Sequence, residues 1–299
     1  MIPEHRRTRH PGFLAALLIL VLPAGCGHMA QFGETGPRAY IHGHIDTFED
    51  RPVTGLSLHL LTGAATRSKP KEIVLLHGAG PFASGAREQD SVEAAIDELR
   101  KRRNNVFLLS AGGVPRERIE TLNRRGHNLM TPSAHDLADA PGELRQAAFP
   151  LLGANLALPP DAAPPIDPYA ILKTPEGYTI AVLGLTAPDP GAEAVKIAAP
   201  IATARAFSHL AEEHHVFVAL TNLDPHASAH LAEAAPALDV IFAHSAAGAT
   251  PSAKTVNGVF VAYINPAAEP AQPPGKVTLT MKNGKLIDKT AEYDWFTRP

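Results

Sequence analysis

The stretch Ile73-Val74-Leu75-Leu76-His77-Gly78 decides the fold class of this 299-residue chain. Its four consecutive apolar residues predict a short strand that is buried on both faces of a sheet. Residues 85–103 follow with apolar side chains at the i, i+3, i+4, i+7 spacing of an amphipathic helix. Residues 106–109 are again continuously apolar and predict the next buried strand. The apolar positions of the helix between them are Val92, Ala95, Ile96 and Leu99.

The same alternation continues to about residue 242, and a tail of strands follows it. We predict further strands at 128–131, 149–152, 178–185, 216–220 and 240–242, and helices around 119–122, 207–214 and 230–235. In the tail we predict strands at 258–264, 276–281 and 285–288. Asn283-Gly284 predicts a type I′ hairpin turn, and Leu279 and Met281 are expected to share the buried face before it. Alternating strands and helices with a β-rich end indicate an α/β protein with mixed sheets.

The composition excludes several classes of protein. Apolar residues make up 45% of the chain and charged residues 19%, which is ordinary for a globular domain. The 27 basic and 30 acidic residues give a formal net charge of -3, so no basic excess favours nucleic-acid binding. The single cysteine excludes an internal disulfide framework and a CxxC zinc site.

The N-terminus has the pattern of a bacterial secretion signal. A basic cluster at residues 6–9 precedes an uncharged apolar run over residues 13–22. That run is shorter than the roughly 20 residues that a membrane-spanning helix needs. It ends in Leu22-Pro23-Ala24-Gly25-Cys26, which resembles a bacterial lipobox, where the cysteine is acylated and becomes the first residue. We therefore predict that residues 1–26 are a signal peptide with a lipobox; the alternative is a plain secretory signal with an incidental cysteine.

This pattern predicts a location and one partner. A lipid on Cys26 would anchor the protein in the membrane of the bacterial cell envelope. The residue after it is Gly27 rather than Asp, which by resemblance to sorted lipoproteins favours the outer membrane, with the protein facing the periplasm or the cell surface.

Seven stretches at predicted strand ends are each a weak match to a known motif, but their shared order and approximate spacing make the set specific. They are residues 73–82 (IVLLHGAGPF), 109–113 (LSAGG), 130–136 (MTPSAHD), 149–156 (FPLLGANL), 181–189 (AVLGLTAPD), 220–223 (LTNL) and 239–246 (DVIFAHSA). The set resembles the N-terminal catalytic domain of the 5′-nucleotidase family, within the calcineurin-like metallophosphoesterases. That family has HTNDxH after the first strand, then LDAGD, MTLGNHE, FPxLxANx, LTHL and DVIIGGHSH.

The resemblance implies a four-layer α/β/β/α sandwich of two mixed sheets flanked by helices. It implies four segments in the chain: the signal peptide, an N-terminal extension over 27–70, a metallophosphoesterase-like domain over 71–290 and a C-terminal tail over 291–299. We expect the family's C-terminal substrate-specificity domain to have no counterpart in this chain.

The resemblance also implies which chemistry has been lost. The family holds two divalent metals with Asp, His and Asn side chains, and two metals bridge the nucleophilic water and the phosphate oxygens. Most of these positions carry residues unable to replace the family ligand. Of the family-equivalent site residues, His135 corresponds to the transition-state histidine, Asp136 to its carboxylate partner and His244 to one metal ligand. The substituted ligand positions are Gly80, Phe82, Gly113, Ala134, Asn222 and Ala246.

Four other patterns are weighed against this interpretation. An α/β-hydrolase is excluded because no histidine follows Ser245 to complete the triad order. His42, His44 and Asp46 alternate as on one face of a strand and form a weaker candidate for a zinc site; we favour a solvated strand face. His226 and His230 are spaced i, i+4, which suits a metal, but no carboxylate motif accompanies them, so we interpret them as surface residues. The pair His214-His215 is interpreted in the same way.

Two hypotheses of function follow. The first is a lipid-anchored envelope protein whose degenerate metallophosphoesterase-like domain is non-catalytic and binds or scaffolds an unknown protein or small-molecule ligand, with no cofactor and no catalytic residue. The second is a divergent metal-dependent phosphoesterase or 5′-nucleotidase that retains a divalent metal such as zinc or manganese. The test that separates them is whether Asp, Glu or His side chains converge at the strand ends.

Overall fold

The computed structural model describes residues 69–79, 86–112, 119–157, 164–192, 195–246, 248–265 and 273–296. The predictions at Cys26 and at His42, His44 and Asp46 lie outside the described residues, as do Gly80, Phe82 and Gly113. No helix in the described ranges has the length and apolar character needed to cross a membrane.

The described residues form alternating strands and helices. The strands are β1 (Lys71–Gly78), β2 (Val106–Ala111), β3 (Leu129–Thr131), β4 (Leu151–Leu152), β5 (Leu156–Ala157), β6 (Ile166–Asp167), β7 (Tyr169–Lys173), β8 (Thr179–Leu185), β9 (Lys196–Ile197), β10 (Val216–Thr221), β11 (Val240–His244), β12 (Ser252–Val256), β13 (Val259–Ile264), β14 (Gly275–Lys282) and β15 (Lys285–Glu292). The helices are α1 (Ala86–Arg102), α2 (Ile119–Arg124), α3 (Ala134–Asp139), α4 (Pro141–Leu144), α5 (Pro200–Ala206), α6 (Leu210–Glu213) and α7 (Pro225–Ala234).

Two mixed sheets contain nearly all of these strands. The first has seven strands in the order β15-β14-β1-β2-β3-β4-β6, parallel from β1 to β6, with β14 and β15 added antiparallel at one edge. The second has six strands in the order β12-β13-β11-β10-β8-β7, with four parallel central strands and an antiparallel strand at each edge. Strands β5 and β9 form a separate pair.

The hydrophobic clusters show that the two sheets pack face to face. One cluster joins Ile73 and Leu75 of the first sheet to Val218 and Phe242 of the second, and all four side chains are fully buried. On the outer side of the second sheet, residues of α5, α6 and α7 cover the strands. On the outer side of the first, α1 packs against β1 and β2, and α2 to α4 form a cluster with β3 and β4. The predicted α/β/β/α sandwich is therefore confirmed.

The predicted tail hairpin is also confirmed. Asn283 and Gly284 both have positive φ, 51° and 78°, as a type I′ turn requires. The side chains of Leu279 and Met281 are fully buried between the sheets. Asn257 and Gly258 repeat these dihedral signs, with φ of 49° and 85°, and connect β12 to β13. Strand β12 was not predicted, because most of its side chains are polar and the hydrophobic pattern misses such an edge strand.

Two helix predictions were wrong in their limits. Of the helix predicted at 207–214, only α6 (Leu210–Glu213) is helical. Helix α5 (Pro200–Ala206) lies before the predicted range, and the chain leaves helical geometry between the two at Phe207, whose φ and ψ are -98° and 12°. The helix predicted at 230–235 begins earlier, at Pro225, where Asp224 accepts a hydrogen bond from the backbone N–H of Ala227. An Asp followed by a proline is a helix-start signal that apolar spacing alone does not reveal.

Candidate functional site

The carboxyl ends of the parallel strands in both sheets meet at one edge of the sandwich. Hydrogen bonds cross between the sheets there. The Thr186 hydroxyl, after β8, donates to the carbonyl of Pro132, after β3, at 2.9 Å. The His244 Nε2, at the end of β11, donates to the carbonyl of Ala111, at the end of β2, at 2.9 Å. Because ligands of open α/β sheets bind beyond the carboxyl ends of the strands, this edge is the candidate site.

Asn155 fixes the second sheet at this edge. Its side-chain amide donates to the carbonyls of Thr186 and Ala198 at 2.8 and 3.0 Å, and its Oδ1 accepts the Thr186 N–H at 2.9 Å. Both Asn155 and Thr186 are buried, so these bonds satisfy polar groups that water does not reach. The FPLLGANL stretch therefore has a structural role in joining the layers.

Asp136 is part of a helix cap. Ser133 precedes α3, and its hydroxyl accepts the Asp136 N–H at 3.1 Å while the Asp136 carboxylate accepts the Ser133 N–H at 2.8 Å. This reciprocal pair is a capping box, which the sequence Ser-x-x-Asp favours. The Asp136 side chain is fully buried, so its carboxylate faces the first turn of the helix and not an open site.

Gly112 allows α3 to start so close to β2. It has a φ of +78°, and a Cβ at this position would lie 3.2 Å from the Ser133 Cβ and 3.4 Å from the Asp136 Oδ2. A side chain here would be strained by the backbone and would also press on the capping box.

His135 points to a different carboxylate from the one expected. Its Nδ1 lies 3.0 Å from the Oδ2 of Asp189, in the loop after β8, and 59% of its side chain is exposed. The resemblance implied Asp136 as the counterpart of this histidine's carboxylate partner, but in the structure Asp189 makes the contact. The reason is local: the capping box turns Asp136 inward, whereas Asp189 approaches His135 from the other sheet. The AVLGLTAPD stretch contains Asp189, but its similarity to the family assigned it no role.

The imidazoles of His77, which is buried, and His244, which is half-buried, lie near each other between the sheets. The His77 ring packs against Phe242 with centroids 4.6 Å apart, and neither ring nitrogen has a hydrogen-bond partner among the described residues. Burial, and secondarily the neighbouring His244, lower the pKa of His77 well below its usual value. Burial also lowers the pKa of His244 to about 4, against the opposing effect of its bond to Ala111. Both rings are therefore neutral near pH 7.

Three further family-equivalent positions face protein atoms or carry no donor atom. The Asn222 Oδ1 accepts the N–H of Ala187 at 2.6 Å, so this oxygen is engaged within the loop after β8. Ala246 is exposed, and Ala134 is buried at the first residue of α3. Next to Ala246, the backbone N–H of Ser245 donates to the carbonyl of Ile264 at 2.6 Å.

The described residues do not fit the dinuclear metal centre that this fold implies. Among them, no three His, Cys, Asp or Glu side chains are grouped so that they could hold a metal ion. The carboxylate of Asp136 caps a helix, the Nε2 of His244 donates to a carbonyl, and the oxygen of Asn222 accepts a backbone N–H. A nitrogen that carries a hydrogen has no lone pair for a metal, and divalent metals need several converging donors.

Comparison with known proteins places this arrangement among phosphoesterases by structure. No family model matches the chain, and no curated protein matches it. The NAD nucleotidase of Haemophilus influenzae superposes with a TM-score of 0.60 at 17% identity, over 76% of this chain and 51% of that chain. A 5′-nucleotidase precursor from Thermus thermophilus gives 0.57 at 18%, over 74% and 54%. The chain thus spans about half the length of these two proteins.

A shorter relative is covered almost completely. The calcineurin-like phosphoesterase YfkN from Bacillus subtilis has a TM-score of 0.58 at 16% identity, over 75% of this chain and 90% of that chain. At such identities the similarity establishes the fold alone. The two facing mixed sheets, their flanking helices and these neighbours together show that the chain has the metallophosphoesterase fold of the 5′-nucleotidase type.

Proposed function

We propose that this chain is a cell-envelope protein, anchored by a lipid at Cys26, whose metallophosphoesterase-like domain binds a protein or small molecule and does not hydrolyse phosphate esters. One observation carries the proposal: the polar side chains at the family-equivalent positions are engaged by the protein itself. Asp136 caps α3, His244 donates to Ala111 and Asn222 accepts from Ala187.

The chemistry of phosphate esters supports this conclusion. Metal ions lower the pKa of an attacking water towards 7 and offset the charge on the phosphoryl oxygens. The exposed imidazole of His135, held by Asp189, is suited to protonating a leaving group, but general acid catalysis alone contributes roughly 10²–10⁴-fold. Uncatalysed phosphate monoester hydrolysis is slow enough that known enzymes accelerate it by up to about 10²¹-fold. A general acid without converging metal ligands therefore falls far short of useful turnover.

The expected result is that purified residues 27–299 do not hydrolyse 5′-nucleotides, cyclic nucleotides or nitrophenyl phosphate. The assay adds manganese, zinc, cobalt and calcium one at a time and measures released phosphate or nitrophenol. Gly80→Asp is expected to restore nothing, because one carboxylate does not complete a two-metal ligand set.

The same assay tests the second candidate function, a divergent metal-dependent phosphoesterase. The specific observation in its favour is the exposed pair of His135 and Asp189, an imidazole held by a carboxylate at 3.0 Å. Metal-dependent turnover that disappears in His135→Ala but persists in the exposed control His209→Ala would establish the enzyme and end the non-catalytic proposal.

The anchor has its own experiment. The basic cluster at 6–9, the apolar run at 13–22 and Cys26 support lipidation. In a bacterial host, Cys26→Ser is expected to leave the protein unprocessed or to release it from the membrane fraction. Gly27→Asp is the matched variant, expected to keep processing intact while moving the protein from the outer to the inner membrane. Unchanged processing and membrane association in Cys26→Ser would exclude the anchor.

A further inference from the structure

Helix α7 presents two histidines and a glutamate along its exposed face. His226, His230 and Glu233 are spaced i, i+4, i+7, and all three are exposed. This spacing places them on one stripe of the helix. The opposite face carries Ser228, Leu231 and Ala232, which are buried against the second sheet. Solvent therefore reaches the stripe while packing fixes the helix beneath it.

The two imidazoles face each other with the equivalent nitrogen, Nε2, of each ring. The Nε2 atoms of His226 and His230 are 3.3 Å apart, and the ring centroids are 4.5 Å apart. Two nitrogens that each lie about 2.0–2.1 Å from a tetrahedral zinc ion are about 3.3–3.4 Å apart. The separation in this structure is therefore already that of two ligands on one metal ion. Without a metal the two Nε2 atoms share a hydrogen bond, so one of them carries a hydrogen. Metal binding requires the tautomer with that hydrogen on Nδ1, but no backbone movement.

Glu233 places a carboxylate beside the histidine pair, although the sequence analysis recognised no carboxylate motif there. Its Oε2 lies 3.6 Å from the Nδ1 of His230, one turn further along the helix. A histidine that binds a metal through Nε2 carries its hydrogen on Nδ1, and a carboxylate facing that hydrogen fixes the tautomer and strengthens the ligand. At 3.6 Å the contact is longer than a hydrogen bond, so Glu233 acts through its negative charge, which favours the tautomer of His230 with the hydrogen on Nδ1 and the Nε2 lone pair available for a metal.

We propose that His226 and His230 form a surface site for one divalent transition-metal ion, of the zinc, copper or nickel class, bound through both Nε2 atoms. Glu233 positions His230, and water or a donor from a binding partner completes the coordination. The imidazole ligands select against magnesium and calcium, which prefer oxygen ligands. The site differs in every residue from the strand-end positions at which the family binds metals.

The test is metal titration of the full mature chain by isothermal titration calorimetry or equilibrium dialysis. Affinity is expected to be highest for Cu²⁺, lower for Ni²⁺ and Zn²⁺ and undetectable for Mg²⁺. His230→Ala is expected to remove one bound equivalent or to weaken binding by more than tenfold. Glu233→Gln retains both ligands and is expected to weaken binding by about 10–100-fold. Circular dichroism of each variant is expected to match the parent, because the replaced side chains are exposed.

Two controls separate this site from other histidines of the chain. His209→Ala removes an exposed histidine elsewhere on the fold, and His42→Asn with His44→Asn removes the alternative that the sequence suggested. Both are expected to leave the α7 equivalent bound. Loss of metal in either control, or unchanged binding in His230→Ala, would overturn the proposal. Neither result bears on phosphoesterase activity, so the two proposals stand or fall separately.

Discussion

Gly184→Ala is expected to lower the free energy of unfolding by about 3 kcal/mol or more, because overpacking a core typically costs about 1–3 kcal/mol and occasionally more. Gly184 lies in β8, where the second sheet approaches the first. A Cβ at this position would lie 2.4 Å from both the carbonyl carbon and the Cβ of Leu152, and 2.6 Å from its carbonyl oxygen. The backbone of Leu152 is held in the sheet by strand pairing, and Ala154 donates its N–H to Gly184 at 2.8 Å. The added methyl group therefore has to push the two layers apart.

Thermal unfolding of the two proteins measures this effect. For a domain of this size, about 3 kcal/mol corresponds to a fall in Tm of roughly 6–12 °C. Gly142→Ala is the matched control, because a Cβ there meets no atom within 4 Å, and it is expected to leave Tm within about 2 °C of the parent. A Gly184→Ala variant that melts with the parent would mean that the sheets are less closely packed here than the structure shows.

Acidification from pH 6.5 to pH 5 is expected to destabilise the fold steeply. Burial lowers the pKa of His77 well below its usual value, that of His127 to about 3 and that of His244 to about 4. The unfolded chain binds protons at these histidines below pH 6.5, and the folded chain does not, so stability falls as the pH falls. Each buried histidine contributes up to about 1.4 kcal/mol per pH unit in this window.

Two carboxyl groups act in the opposite direction at lower pH. Burial raises the pKa values of Asp167 and Asp239, so the folded chain binds their protons more readily than the unfolded chain. Denaturant unfolding at several pH values measures the slope. His77→Gln is expected to reduce it by about 1.4 kcal/mol per pH unit, whereas His209→Gln, at an exposed histidine, is expected to leave it unchanged. An equal slope in parent and His77→Gln would show that His77 is protonated in the folded state.

The fold was largely predictable because its signals are local. Continuous apolar runs such as 73–76 predict buried strands, and Asn283-Gly284 predicts a hairpin whose register places Leu279 and Met281 inside. Predictions failed where the determining contact is not apolar. Strand β12 pairs at an edge with few buried side chains, and the first turn of α7 depends on a hydrogen bond from Ala227 to Asp224.

The candidate site was predictable in its residues but not in its contacts. The sequence indicated His135, Asp136 and His244, and the structure brings the loops that carry them to one edge. The pairing of His135 with Asp189 was not predictable, because the two residues lie in different sheets and meet only when the layers pack. The capping box of Ser133 and Asp136 matches a local sequence pattern, whereas the resemblance to the family identified Asp136 only as the counterpart of the carboxylate beside the transition-state histidine.

By itself, the sequence determined the alternation of strands and helices and the tail hairpin of this protein, and its single cysteine leaves no internal disulfide. Only the tertiary structure decided the hydrogen-bond partners of the remaining polar side chains and the separation of the Nε2 atoms of His226 and His230. The physical reason is the range of the interactions. Apolar periodicity is set by neighbours along the chain, whereas the orientation of an imidazole or carboxylate is set by atoms that packing brings from distant segments.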